Sequence, residues 1–182
     1  MAARHLGLDV EDVKTDTNAE PAELLDSNPL GKIPVLIRDG EPPIYDSVAI
    51  MHFLDRLSDG QLYPKKDEKR TDAEVLEALC DGITDSLLAI IYERRFRPED
   101  KQYQPWMDKQ WSKVVRGLDY LENNLPKTEK KLNGGHFALA ALIGYLDLRF
   151  AGQWADGRPK LAAWPTAFAK LFADYESMKS SA

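Results

Sequence analysis

The run Asn28-Pro29-Leu30-Gly31-Lys32-Ile33-Pro34-Val35-Leu36, followed by the acid-hydroxyl pair Asp46-Ser47, constrains this chain more than any other stretch. Proline has no amide hydrogen to give to a ladder, so Pro34 marks the entrance to a strand and not its interior. Val35-Leu36-Ile37 is short, apolar and β-branched, Asp39-Gly40 is a turn dipeptide, and Pro42-Pro43-Ile44-Tyr45 returns, which predicts a β-hairpin with Pro43 on an edge strand. After Tyr45 the apolar residues fall at helical spacing, Val48, Met51, Phe53-Leu54 and Leu57, with Asp46 or Ser47 placed to cap the helix start.

A helix beginning there points free N–H groups and a partial positive charge back toward the hairpin, which suits a carboxylate. Asp46 brings the opposite sign to the same place. An α-amino acid head group has one ammonium and one carboxylate, so Asp46 for the first and the Ser47 hydroxyl and amide for the second form a matched pair. Each motif alone has a plainer explanation: Asp-Ser before a helix is commonly a cap, and Gly-Lys-x-Pro a loop. Their order and spacing make the combination more specific than either. Lys32 is a solvated side chain in the plainer account and a contact to a ligand carboxylate in the other.

The formal charge of −6 argues against a nucleic acid or an anionic membrane as partner, since both need clustered positive charge. Lys65-Lys66 and the basic residues of 127–131 are short patches interrupted by acids, expected to be solvated. One cysteine, Cys80, rules out an internal disulfide framework and fits a reducing, cytoplasmic setting. Its neighbours Leu76, Leu79 and Ile83 predict a buried, inert thiol. No apolar run reaches the roughly 18 residues of a membrane span, and Met1 to Leu8 lacks a signal-peptide layout. His5, His52 and His136 lack companions at metal-ligand spacing, so no metal site is expected.

Residues 1–63 read as helix, strand, helix, hairpin, helix: Ala2 to Leu6 closing at Gly7, a strand over Asp9 to Lys14, a helical or irregular connection over Ala19 to Asp26, then the hairpin and its helix. Tyr63-Pro64-Lys65-Lys66-Asp67 is polar and carries a proline, and reads as a linker. Beyond it the chain is helical in period. Val75, Leu79, Ile83, Leu87 and Ile91 recur every fourth residue, and Met107, Trp111, Val114, Leu118, Leu121 and Leu125 alternate fours and threes, so these two helices are expected to pack together. Phe137 to Phe150 is apolar nearly all round and should be the central helix, with Asp147 and Arg149 needing partners; Leu161 to Tyr175 is a last amphipathic helix.

The proline loop, the Asp46-Ser47 pair and the helical second half together resemble the glutathione S-transferase superfamily of bacterial type, along essentially the whole chain. The resemblance implies an α/β plus all-α fold: a thioredoxin-like glutathione-binding domain over 1–63, truncated at its start, and a helical-bundle domain over 70–182. It implies a cis Ile33–Pro34 bond that turns the Ile33 N–H and C=O outward to an extended peptide, so that Lys32, Ile33, Pro34, Asp46 and Ser47 hold glutathione as co-substrate. Tyr145-Leu146-Asp147-Leu148-Arg149 resembles a central-helix motif, and Tyr92-Glu93-Arg94-Arg95 the end of the long helix facing the cleft, which makes Tyr92 and Arg95 candidates to line a pocket for a small-molecule electrophile; a basic helix end favoured by the dipole is the alternative.

Two departures accompany the likeness. Where the family opens its central helix with Ser/Thr-x-x-Asp, this chain has Asn133-Gly134-Gly135-His136, and the returning bond of the capping box is expected to be missing, at about 1 kcal/mol. The chain also opens inside the family's first helix, so a strand, a turn and part of a helix, about 15 to 20 residues, are expected to be absent, and with them the Ser, Cys or Tyr that stabilises the glutathione thiolate. No catalytic residue is therefore assigned. The readings that follow are a homodimeric transferase, a non-catalytic binding or regulatory module on the same fold, and a plain helical interaction domain.

Overall fold

The computed structural model describes residues 1–128 and 130–179. It divides into two compact units, one from Ala2 to Pro64 and one from Lys65 onward that also takes in Met1. The smaller unit runs α1 (Ala2–His5), α2 (Ala22–Ser27), β1 (Leu36–Arg38), β2 (Glu41–Ile44) and α3 (Ser47–Leu57). β1 and β2 are antiparallel, Leu36 opposite Ile44 and Arg38 opposite Glu41, with an irregularity between the two pairs. Gly40, at φ +70°, makes the turn without a Cβ penalty. Arg38 ties the hairpin to α3: its guanidinium donates to the Pro42 carbonyl at 2.6 Å and lies 4.9 Å over the Phe53 ring.

The exit from α3 is set by Asp55, a buried carboxylate that accepts from the amides of Leu62 at 2.8 Å and Tyr63 at 2.9 Å. Those two residues are thereby turned inward and fully buried, and Tyr63 stacks on His52 at 4.9 Å. The expected strand over Asp9 to Lys14 is not formed. Among the described residues the sheet holds β1 and β2 alone, so this run has no ladder to join, and Val13 is 72% exposed. A short 3-10 turn at Thr17–Ala19, capped by the Asp16 carboxylate, leads into the Ala19 to Asp26 connection, most of which is α2.

The larger unit consists of α4 (Asp67–Phe96), α5 (Gln104–Asn123), α6 (Gly134–Arg149) and α7 (Pro159–Ala169), with a 3-10 turn over Ala173–Met178. α6 is the central helix, packed on α4 and α7, while α4 also packs on α5. A Cβ on Gly135 would lie 2.7 Å from the Ala73 carbonyl oxygen and 2.9 Å from the Leu76 Cβ, so α6 approaches α4 where only hydrogen fits. The strict four-residue stripe on α4 is corrected. Val75 is 58% exposed and the buried face runs Ala73, Glu77, Cys80, Ile83, Leu87, Ile90. Four residues turn a helix about 40° past a full circle, so a strict spacing of four drifts off the core that threes and fours together follow.

The opening of α6 is also corrected. The Asn133 side chain accepts from the His136 amide at 3.1 Å, and His136 Nδ1 accepts from the Asn133 amide at 3.1 Å, so the reciprocal cap is complete. A neutral imidazole nitrogen is an acceptor just as a carboxylate oxygen is. With Nδ1 accepting, the ring proton belongs on Nε2, which donates to the Lys127 carbonyl at 3.1 Å. Burial holds the His136 pKa below the ordinary value, a shift the Lys127 bond opposes.

α7 begins without a side-chain cap of its own. Glu122, on α5, accepts from the amides of Lys160 at 3.2 Å and Leu161 at 2.7 Å, and Arg158 pairs with Asp119 at 2.7 Å. The helix stops at Ala169, short of the expected Tyr175, and the 3-10 turn then folds back so that Phe172 and Tyr175 meet Phe168 edge-on. Asp147 accepts from the Trp154 indole at 3.2 Å. Cys80 is buried, and desolvation, with Asp81 and Glu77 adding to it, pushes its thiol far up from the usual range. Among the described residues no helix is long and apolar enough to cross a membrane.

Candidate functional site

The proline loop is built on Asn28. Its side chain is 2% exposed, donates to the Lys32 carbonyl at 2.8 Å and accepts from the Leu30 amide at 3.0 Å, while its carbonyl accepts from the Gly31 amide at 2.8 Å. Gly31 closes the loop at φ +60°. These bonds satisfy the loop internally. The Ile33–Pro34 peptide bond is cis. Ile33 is exposed, and neither its N–H nor its C=O has a partner among the described residues. The Tyr45–Asp46 bond is cis as well.

The register of the hairpin brings the two halves of the site together. Leu36 stands opposite Ile44, so the residues before Leu36 and those after Ile44 leave the sheet at the same end. Pro34 and Asp46 are thus near neighbours through the sheet. Asp46 is the N-cap of α3: its Oδ1 accepts from the Val48 amide at 3.1 Å, and its other oxygen has no partner among the described residues. Ser47 is exposed, and its amide and hydroxyl are likewise unpaired there. The Lys32 side chain is exposed and has no ion-pair partner among the described residues.

One end of the hairpin therefore presents an unpaired peptide N–H and C=O, a helix N-terminus with a free amide and hydroxyl, and one free carboxylate oxygen. An extended peptide with a zwitterionic end can pair with all of these at once. Lys32, Ile33, Pro34, Asp46 and Ser47 all belong to the smaller unit, whereas Tyr92 and Arg95 lie on α4 in the larger one. Tyr92 is 48% exposed and packs edge-on against Phe96 at 5.5 Å. Asn28 is the site residue that motif reading left without a role. The signal was present in Asn-Pro-x-Gly, where a short amide side chain can close the turn on itself.

Residues 1–57 match the family model for the glutathione S-transferase N-terminal domain, and residues 104–164 that for the C-terminal domain. The GST-like protein YibF of Escherichia coli is 32% identical over 139 residues, 74% of this chain and 68% of that protein. A glutathione S-transferase from Methylobacterium radiotolerans, solved in complex with glutathione sulfonate, superposes with a TM-score of 0.88 at 28% identity, covering 100% of this chain and 87% of that one. One from Methylobacillus flagellatus, solved with glutathione bound, gives 0.81 at 33% identity, over 96% of this chain and 90% of that one. A thioredoxin-like half and a helical half, matched in order along the chain, define the fold class. The chain belongs to the glutathione S-transferase superfamily.

Proposed function

We propose that this protein binds glutathione at the hairpin end and joins its thiol sulfur to a small electrophile, or uses it as a reductant. The observation that carries the reading is the set of unpaired groups at that end: Ile33 N–H and C=O, the Ser47 amide and hydroxyl, and the free oxygen of Asp46. The Ile33 backbone pairs with the cysteinyl residue of the tripeptide, Ser47 takes the γ-glutamyl carboxylate, Asp46 its ammonium and Lys32 the other carboxylate. Tyr92 and Arg95 line the electrophile pocket. The protein works as a homodimer in the reducing cytoplasm. An apolar groove of about 370 Å³ between α4 and α5, lined by Leu79, Ile83, Gly117 and Tyr120 among others, suits a second copy.

Calorimetric titration with glutathione tests the reading. Ser47→Ala should weaken binding about tenfold, the worth of one charge-assisted hydrogen bond, and Asp46→Asn by a similar factor while keeping the cap on Val48. No heat of binding by the unaltered protein, or an affinity in both variants equal to that of the unaltered protein, would overturn it. A second reading, a binding module without turnover, draws support from Cys80, the one thiol of this sequence, which is buried and held protonated by desolvation. Conjugation of chlorodinitrobenzene separates the two: glutathione binding with no product favours the module.

A further inference from the structure

The larger unit holds a cavity that the proposed function does not use. It lies where α4 and α6 end and α5 begins, and has a volume of about 140 Å³. Its floor is apolar: Ile90 on α4, Met107 on α5 and Phe150 just past α6 are all buried, and the Trp111 indole stacks on the Phe150 ring at 5.6 Å. Its rim is polar and exposed. Arg94 stands on the α4 side and Asp108 on the α5 side, and Gln153 reaches the cavity from the turn after α6, which Gly152 makes at φ +76°.

The walls are tied together by hydrogen bonds. The Glu93 carboxylate accepts from the Tyr103 amide at 3.1 Å and from Arg97 at 2.9 Å, and the Gln102 side chain donates to the Arg97 carbonyl at 3.2 Å, so the end of α4 is stitched to the start of α5. Gln104 then orients Asp108, donating to its Oδ1 at 2.6 Å and leaving Oδ2 without a partner among the described residues. Arg94 and Asp108 line the same cavity, yet no ion pair joins them. Elsewhere in this unit opposite charges have closed to contact, Arg97 on Glu93 at 2.9 Å and Arg158 on Asp119 at 2.7 Å. A cation and an anion held apart across a gap of molecular size match a solute that carries both charges.

We propose that this cavity is a second binding site, for a free α-amino acid with a small side chain. The ligand carboxylate lies on the Arg94 guanidinium with Gln153 beside it, the ammonium on Asp108 Oδ2, and the side chain on the Ile90 and Met107 floor. Size sets the limit: at about 30 Å³ per water the cavity holds about five waters, room for alanine and not for an aromatic amino acid. Both charges of the ligand are matched within the larger unit, so the site is independent of the hairpin end and of the glutathione reading. A bound amino acid touches three elements of the bundle at once, and it stabilises the larger unit more as its concentration rises.

Calorimetric titration of the full chain with L-alanine, propionate and ethylammonium tests the site. L-Alanine should bind about tenfold or more tightly than either singly charged analogue and raise the melting temperature, and L-tryptophan should do neither. Arg94→Gln and Asp108→Asn should each weaken L-alanine binding about fivefold or more, with melting temperatures in the absence of ligand near that of the parent, since both side chains are exposed. Propionate or L-tryptophan binding as tightly as L-alanine, full affinity in either variant, or no heat at tens of millimolar L-alanine would overturn the proposal. Ser47→Ala is the second arm, because the hairpin end is also suited to a zwitterion. It should leave L-alanine affinity unchanged; a fall in that variant would place the amino acid at the hairpin end and overturn the second site.

Discussion

Acidification should weaken the fold through one ring. His136 closes the α6 cap only when Nδ1 is bare, because protonation turns that acceptor into a donor facing the Asn133 amide. Its folded pKa is depressed, so between the ordinary value of 6.5 and the lower folded value the unfolded chain binds more protons. Stability is then fully present above about pH 6.5 and falls as pH drops through that window, by up to about 1.4 kcal/mol per pH unit. Charged side chains on the surrounding elements are Lys127, Lys130 and Lys131 in the preceding loop, Arg70, Glu74 and Glu77 on α4, and Lys160 on α7. None of them is among the causes of the shift, which is burial opposed by the Lys127 carbonyl.

Urea unfolding followed by tryptophan fluorescence, from pH 7.5 to 5.5, measures the slope. His136→Asp should return the cap bond from a carboxylate that stays charged over this range, and its stability should be flatter with pH than that of the parent. His136→Ala should lose about 2–4 kcal/mol at pH 7.5, since the Asn133 amide and Lys127 carbonyl lose their partners and the stack on Trp164 is removed. Comparing the parent with His136→Asp cancels the contribution of His5, whose pKa burial also lowers. If both proteins lose stability in parallel on acidification, the cap is not the titrating element and the reasoning fails.

Gly135→Ala should destabilise by about 1–3 kcal/mol in thermal melts, because its methyl meets the α4 backbone, whereas Gly144→Ala, with open space around it, should gain roughly 0.5–1 kcal/mol. A loss in both would show that helix propensity and contact are not what separates them. Asp55→Ala strands the amides of Leu62 and Tyr63 and should cost about 2–4 kcal/mol, read as a lowered urea midpoint; an unchanged midpoint would show those amides are satisfied elsewhere. Asn28→Ala should leave the helical signal in circular dichroism intact yet weaken glutathione binding several fold, by releasing the Lys32 carbonyl and Leu30 amide that shape the loop before Ile33.

The hairpin and the α3 cap were legible in sequence because their signals are local: turn residues, a proline at a strand entrance, an aspartate one residue before a helix. Asp9 to Lys14 misled because a strand is a property of a pair, and the composition of one run says nothing about whether a ladder stands beside it. The α4 stripe misled because a spacing of four approximates a helix over two turns and fails over five. The returning half of the α6 cap does not show in the sequence because His136 has no carboxylate, yet its neutral imidazole nitrogen accepts the Asn133 amide in the same way.

The trans-capping of α7 has a consequence for how the last part of the chain comes to be ordered. Its eleven residues fall below the length of about 12–15 at which a lone helix holds in water, and Pro165 sits inside it. The instruction to start is supplied by Glu122, 39 positions upstream of the amide it receives from Leu161. A synthetic peptide of residues 155–179 should accordingly be coil, and during synthesis this tail acquires its shape only after α5 has been laid down as a template.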